Sequence, residues 1–398
     1  MKTLAHRRIG PLAWIVAMLA IAGCAAPAGP SSNTDELPFE QAVNLATDSL
    51  AQQTQKLPAF MAKLEKRSLV IDPMLDGASG QQTALTRQLE EKISARLAAN
   101  HAQLPVLPFQ LANLNKSQYV MTGTITRLQD AKAAAHAPFQ IQLALTEVKS
   151  GMVVAQAASR ARDDGLDTTP TPYYRDSPVL VRDKISDGYI RTSQTAPGQP
   201  ADKVYFERLA TATMINEATV AYNGDQYQAA LDLYKAALAA PSGEQLRTLN
   251  GIYLASWKLG RTQEAEQAFG RVVALGIANN SLGVKFLFNP GSTEFWSDPK
   301  VSGPYAIWMR QIAKQTTQAK VCMNVVGHTS HTGGEAYNDK LSAQRAAAIR
   351  QKLGAESGEL MTRTKASGVG FRENIIGTGT DDASDSLDRR VEFKIVGC

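Results

Sequence analysis

The 398-residue sequence predicts a multidomain chain of mixed α/β and all-α architecture: an N-terminal α/β sandwich, a short helical array, and a C-terminal α/β domain. Three observations lead there. A chain of this length holds two to four domains at about 100–200 residues each. The hydrophobic period changes along it: strands and helices mix before residue 164, helical spacing runs from 204 to 277, and strand–helix alternation returns from 281. A Pro-rich stretch, 165–203, separates the first two regions. With 44% hydrophobic and 20% charged residues, the chain is neither wholly disordered nor collagen-like nor a polytopic membrane protein.

The amino terminus reads as an address. Lys2, Arg7 and Arg8 precede an uncharged apolar run of 11 residues, Leu12 to Ala22. A spanning helix needs ~20 apolar residues, so this run reads as the core of a signal peptide. It ends in Ile21-Ala22-Gly23-Cys24, which resembles a bacterial lipobox. The resemblance implies that residues 1–23 are removed and that the Cys24 thiol takes diacylglycerol, palmitate being among the acyl chains. Three such chains would anchor the protein firmly, since two suffice. Ala25 rather than Asp follows the cysteine, which in lipoproteins of this kind implies sorting to the outer membrane, facing the periplasm. Residues 24–36, with Pro27, Gly29 and Pro30, read as a flexible tether.

Two consequences follow from the address. Removing three basic residues leaves 39 basic against 37 acidic, so the formal charge falls from +5 to +2 and there is no electrostatic footprint for nucleic acid. Lipidating Cys24 leaves Cys322 and Cys398, an even pair in an oxidising compartment, and these are expected to form a disulfide.

Residues 37–164 form the first module. Phe39, Val43, Ala46 and Leu50 fall at helical spacing, and Leu57-Pro58 is expected to interrupt that helix. Leu69-Val70-Ile71 reads as a short buried strand, followed by a turn over Gly77 to Gly80. Leu85, Leu89, Ile93 and Leu97 make one helical stripe. Tyr119 to Leu128 is rich in β-branched residues, Phe139, Ile141, Leu143 and Leu145 alternate, and Lys149-Ser150-Gly151 turns the chain into Met152-Val153-Val154. The predicted order is α-β-α-β-β-β. The stretches SLVIDPMLDGASGQQTALTRQLEEKISARL and YVMTGTITRL resemble outer-membrane lipoproteins that activate penicillin-binding proteins and the related curli-secretion lipoprotein.

Residues 165–203 carry Pro170, Pro172, Pro178, Pro197 and Pro200 without periodicity and read as a linker. Tyr173-Tyr174 and Val179-Leu180-Val181 suggest that it docks on its neighbours. In the helical module, 204–277, QYQAALDLYKAAL and RTQEAEQAFGRVV repeat. Ala230 pairs with Ala265 and Tyr234 with Phe269, an offset of 35 that is similar to the ~34-residue tetratricopeptide period. The small residue permits close helix approach, and the aromatic one turn later fills the gap. Two repeats bury little alone, so neighbours are expected to cap the array. Such arrays offer a surface to a protein segment.

Residues 281–398 are the most informative. Strands are expected over 284–288, 320–326, 364–370 and 391–396, and helices over 302–314 and 338–353. VVGHTSHTGGEAYNDKLSAQRAAAIRQKL, GVGF and LDRRVEFKI are similar in order and spacing to the OmpA-like carboxy-terminal domain. That resemblance implies a βαβαββ fold that binds the diaminopimelate stem peptide of peptidoglycan. Asn338 would sit at a helix start and cap it. Arg345, seven residues on, would share its face and offer a planar fork to a carboxylate. Thr329 and Ser330 would face them from a loop. The chain departs from the family at Ser330, where the resemblance calls for an Asp that takes the ligand's ammonium group. Losing one charge-assisted contact costs ~1.5–3 kcal/mol. Glu335, five residues on, is the nearby candidate to stand in.

Catalytic constellations are missing from the pattern. Gly77-Ala78-Ser79-Gly80 is no nucleophile elbow, Gly368-Val369-Gly370 lacks the third glycine of a dinucleotide loop, and Ser330 beside His331 are adjacent loop residues that do not aim at each other. His328 and His331 have no neighbours at zinc spacing. Arg389-Arg390 reads either as a ligand contact or as an ion pair with Asp388 or Glu392. The expected protein is a non-enzymatic envelope scaffold without cofactor or metal. Lipid at Cys24 would hold it in the outer membrane, Thr329, Ser330, Asn338 and Arg345 would meet the peptidoglycan stem peptide at a weakened or altered site, and the helical region would meet periplasmic or outer-membrane protein partners. The alternative is an assembly or activation factor for a cell-wall synthase or a secretion or surface-appendage machine.

Overall fold

The structure is a computed structural model that describes residues 31–55, 67–128, 137–280, 282–377, 379 and 384–398. The lipobox and Cys24 lie outside the described residues.

In the N-terminal part, β1 (Ser31–Leu37), β2 (Leu69–Ile71), β3 (Leu75–Asp76), β4 (Val106–Leu107), β5 (Tyr119–Arg127), β6 (Phe139–Glu147) and β7 (Val153–Ala161) form one sheet. The strand order is β1-β7-β6-β5-β2-β4, with β3 beside β5. Strands β5 to β7 are an antiparallel meander, and the outer pairings are parallel. Helices α1 (Phe39–Gln55) and α2 (Ala84–Asn100) cover one face, and the short α3 (Leu111–Leu114) follows β4. The predicted stripe Leu85, Leu89, Ile93 and Leu97 is buried there, against Phe139, Ile141, Leu143 and Leu145. Thr83 opens α2 with a reciprocal capping box to Thr86. Arg96 pairs with Asp48 and so ties α2 to α1.

Two expectations about connecting segments are corrected. The stretch expected as a tether, 24–36, is a strand from Ser31 onward, running parallel to β7. This pairing uses the otherwise open backbone edge of β7. The expected linker, 165–203, is a packed layer. It contains α4 (Pro172–Asp176) and α5 (Lys184–Ser193). Tyr189 and Ile190 of α5, with Tyr205 on α6 (Lys203–Phe206), close the second face of the sheet over Val70, Leu75 and Val120. The Tyr189 hydroxyl accepts from the Gly123 N–H at 2.9 Å, and the Tyr205 hydroxyl donates to Asp72 at 2.7 Å. Pro172 opens α4 and the other prolines lie outside these short helices, which is why no period is visible.

Helices α7 (Leu209–Asn223), α8 (Tyr227–Ala239), α9 (Leu246–Lys258) and α10 (Thr262–Ala278) form the helical middle. Ala230, Tyr234, Ala265 and Phe269 are all fully buried. The array does not end in a boundary. One hydrophobic core runs from Tyr173 and Tyr174 through α8–α10 to Phe286, Trp308, Val325 and Phe393. Phe269 stacks on Trp308 with centroids 5.7 Å apart, and the Trp308 indole donates to the Tyr253 hydroxyl at 2.8 Å. The C-terminal domain therefore packs directly against the helical middle.

That domain follows the order β8 (Leu282–Val284), α11 (Pro299–Ser302), α12 (Tyr305–Ala319), β9 (Cys322–Gly327), α13 (Glu335–Glu356), α14 (Leu360–Arg363), β10 (Thr364–Gly368) and β11 (Val391–Val396). Its sheet order is β10-β9-β11-β8, with β9 and β10 parallel and β11 antiparallel to both its neighbours. With α12 and α13 as the long helices this is a βαβαββ arrangement. The first strand lies at 282–284 rather than 284–288. Its outer edge is met by the 165–203 layer, through a Val179–Val284 bridge. Lys285 then turns away and donates to the carbonyls of Tyr174 and Arg175 at the end of α4. Cys322 and Cys398 are disulfide-bonded, with Cα atoms 5.2 Å apart, joining the start of β9 to the chain end after β11.

Candidate binding cleft of the C-terminal domain

The cleft is positioned by how closely α13 lies on its sheet. A Cβ at Gly327 would collide with the Ser342 carbonyl, and one at Gly368 with the Ala343 backbone. These glycines, opposite Ser342, Ala343 and Ala346, let the helix settle onto β9 and β10. The Ser342 hydroxyl then accepts from the Gly370 N–H at 3.0 Å, and the Gly370 carbonyl accepts from the Thr329 N–H at 3.0 Å. Helix, strand end and the loop after β9 are thus held in one register.

A cleft of about 520 Å³ opens between that loop, α13 and the segment 287–301. Thr329, Ser330, Asn338 and Arg345 all line it. Sequence spacing brings Asn338, Leu341 and Arg345 to one face of α13, and all three line the cleft. Arg345 is 7% exposed. Its Nε donates to the Ser292 carbonyl at 3.1 Å and its Nη2 to the Asn289 carbonyl at 3.3 Å. Its guanidinium lies 4.9 Å from the centre of the Phe288 ring. Among the described residues no carboxylate pairs with it. Burial pushes its pKa down to about 10, and Arg389 adds to that, so it remains a cation at neutral pH.

Asn338 corrects an expectation. The helix begins at Glu335 with Gly334 as its N-cap residue, and Asn338 is one turn inside. Its amide donates back to the carbonyls of Thr332 at 2.9 Å and Gly334 at 3.2 Å. It fastens the loop to the helix rather than capping the helix N–H groups. Thr329 is 2% exposed, and its hydroxyl has no hydrogen-bond partner among the described residues. Glu335 does not stand in for the missing Asp. It pairs with Arg372 at 3.0 Å, as Asp339 also does, and it does not line the cleft.

The pair Arg389-Arg390 divides. Arg389 lines the cleft, whereas Arg390 is buried and pairs with Glu392 at 2.7 Å. Asp388 points elsewhere, accepting from the N–H groups of Ile375, Ile376 and Gly377.

Sequence reasoning missed the aromatic wall. Phe288, Trp296 and Tyr337 line the cleft, the last two being 38% and 55% exposed. Phe288 and Trp296 come from a loop closed by a Phe288–Phe295 bridge, and Asn289-Pro290-Gly291 at its tip was the available turn signal.

For a metal ion, the described residues that come together are His328, Glu373 and Glu392, with ligand atoms within 4.8 Å of one another. Both carboxylates already have cations: Arg390 on Glu392, and Lys394 on both. Burial raises the Glu392 pKa, but His328 and Arg390 outweigh it and hold the carboxyl below its ordinary range. The cluster is a neutralised ion-pair network. His331, expected as a loop residue, lies against Phe371 with ring centroids 4.2 Å apart.

Among solved structures, the peptidoglycan-associated lipoprotein from Burkholderia pseudomallei is 23% identical over 29% of this chain and 89% of its own, with a TM-score of 0.23. The cell wall anchor of the T6SS from Pseudomonas aeruginosa is 24% identical over 29% and 80%, with a TM-score of 0.25. An outer membrane protein from Borrelia burgdorferi B31 is 24% identical over 29% and 88%, with a TM-score of 0.22. Residues 287–386 match the OmpA family model, so the chain ends in an OmpA-family domain.

Proposed function

We propose that this chain is a cell-envelope scaffold whose C-terminal domain binds peptidoglycan by seating a stem-peptide carboxylate on Arg345. The observation that carries this reading is a buried guanidinium, fixed by two backbone carbonyls and a ring face, with no acidic partner among the described residues. A planar fork of that kind complements a carboxylate. Thr329, Ser330 and Asn338 supply neutral polar contacts beside it. The lipobox resemblance supports Cys24 as the lipid anchor in the outer membrane, so that one chain would join membrane and wall. The helical middle and the N-terminal sheet would then present surfaces to envelope proteins.

The test is sedimentation of the full chain with purified sacculi. Wild type should pellet, and Arg345→Gln should remain in the supernatant while keeping its circular dichroism spectrum. Wild type in the supernatant, or Arg345→Gln pelleting equally, overturns the reading. Membrane fractionation of Cys24→Ser tests the anchor: unchanged outer-membrane recovery argues against lipidation.

A further inference from the structure

Two large rings in the cleft have free faces. Trp296 and Tyr337 are partly exposed, both line it, and among the described residues neither ring lies against another aromatic ring. The fold presents them there. Phe295 packs its ring against Phe286 and Tyr305, with centroids 5.5 and 4.9 Å away. Side chains alternate along an extended segment, so Trp296, the next residue, is directed away from that core and into the cleft. Its N–H donates to the Leu287 carbonyl at 3.0 Å, which fixes this arm of the loop. Tyr337, in the first turn of α13, reaches the loop tip: a Cβ at Gly291 would lie 3.0 Å from its hydroxyl. Recessed in a cleft of about 520 Å³, such rings suit a small ligand rather than a flat protein surface. The face of an aromatic ring is negatively polarised. One face of a pyranose offers only weakly positive C–H groups, so a sugar lies flat on an indole while its hydroxyl and acetamido groups point to the rim. Thr329 supplies a polar partner: its buried hydroxyl lines the cleft and has no hydrogen-bond partner among the described residues. Leaving such a group unsatisfied is costly, and a sugar hydroxyl or acetamido group meets the need. A stem peptide is joined covalently to a glycan sugar, so a carboxylate on Arg345 brings a pyranose to the same cleft.

We propose that Trp296 and Tyr337 form a sugar subsite beside Arg345, on which a pyranose of the glycan strand stacks while its stem peptide is held by the guanidinium. This rests on the peptidoglycan reading above and names a second part of the ligand: the cleft reads sugar and peptide together, not the peptide alone.

The test is calorimetric titration of the full chain with two probes: the tripeptide L-Ala-γ-D-Glu-meso-diaminopimelate, and the same tripeptide carried on an N-acetylglucosamine–N-acetylmuramic acid disaccharide. Wild type should bind the disaccharide probe about tenfold more tightly than the tripeptide. Trp296→Ala should bring that ratio close to one, and Trp296→Phe, which keeps a ring face, should restore part of it. Equal affinities in wild type overturn the proposal while leaving peptidoglycan binding intact. So does a Trp296→Ala variant that keeps the wild-type ratio, whether or not it weakens both probes, because the ring would then serve the peptide or nothing. Binding of neither probe by wild type overturns the reading of the cleft itself.

Discussion

Gly251 shows how a single residue sets helix spacing in the middle of the chain. It lies on α9, and a Cβ there would run into the ring of Tyr234 on α8. That ring cannot easily retreat, because its hydroxyl is hydrogen-bonded to Thr219 at 2.9 Å and the residue is fully buried. Gly251→Ala should therefore destabilise the protein by about 1–3 kcal/mol through overpacking, although alanine favours helix. A denaturant midpoint unchanged or raised would contradict this. The sequence disclosed Ala230, Tyr234, Ala265 and Phe269 because they recur at one offset, but Gly251 lies outside the repeated segments. The cleft is similar. Thr329, Ser330, Asn338 and Arg345 lie on one loop and one helix, so spacing along the chain gathers them. Phe288 and Trp296 reach the same cleft from a loop some 40 residues away, and only tertiary packing brings them there.

At the level of elements, α2 carries a titration that its apolar stripe conceals. Glu90 stands next to Leu89 and looks solvent-facing by period, but the segment between β2 and β3 folds over it, and its carboxyl accepts from the Met74 N–H at 2.7 Å. Burial pushes the Glu90 pKa up to about 8 and that of Asp72 up to about 6. Both folded values lie above the unfolded ones, so the protonated carboxyls favour the native state. Their contribution is complete below about pH 4 and is lost as pH rises through 6 and then 8. Thermal midpoints should fall between pH 5 and pH 9. Glu90→Gln keeps an acceptor oxygen for Met74 without the charge. It should flatten that slope and raise the midpoint at pH 9, where the wild-type charge costs on the order of several kcal/mol. Parallel pH profiles for the two proteins would rule this out. The same scale explains what the sequence hid about connections. Residues 31–37 and 165–203 have no stripe of their own, because a strand added to an edge and short helices between prolines take their order from the surfaces they cover.

Across the whole molecule, the absence of a core boundary between the helical middle and the OmpA-family domain has a measurable consequence. Phe269 of α10 touches Tyr253 of α9 on one side, with centroids 5.4 Å apart, and Trp308 of α12 on the other. Trp308 in turn contacts Phe286 and Tyr305, which lie in the C-terminal domain. Truncating such a ring to Ala costs about 3–5 kcal/mol. Were the two modules joined only by a linker, Phe269→Ala would lower one calorimetric transition and leave a second in place. With one continuous core, the deficit is shared. For a unit of roughly 200 residues, 1 kcal/mol corresponds to about 2–4 °C, so a single transition covering both regions should move down by roughly ten degrees. The disulfide between Cys322 and Cys398 reinforces only the C-terminal sheet, so it cannot substitute for the lost ring at the junction. A transition that splits in Phe269→Ala, with the C-terminal part melting where wild type does, would show that the domains fold independently. A single shifted transition would mean that the cleft and the helical surface keep a fixed orientation relative to each other.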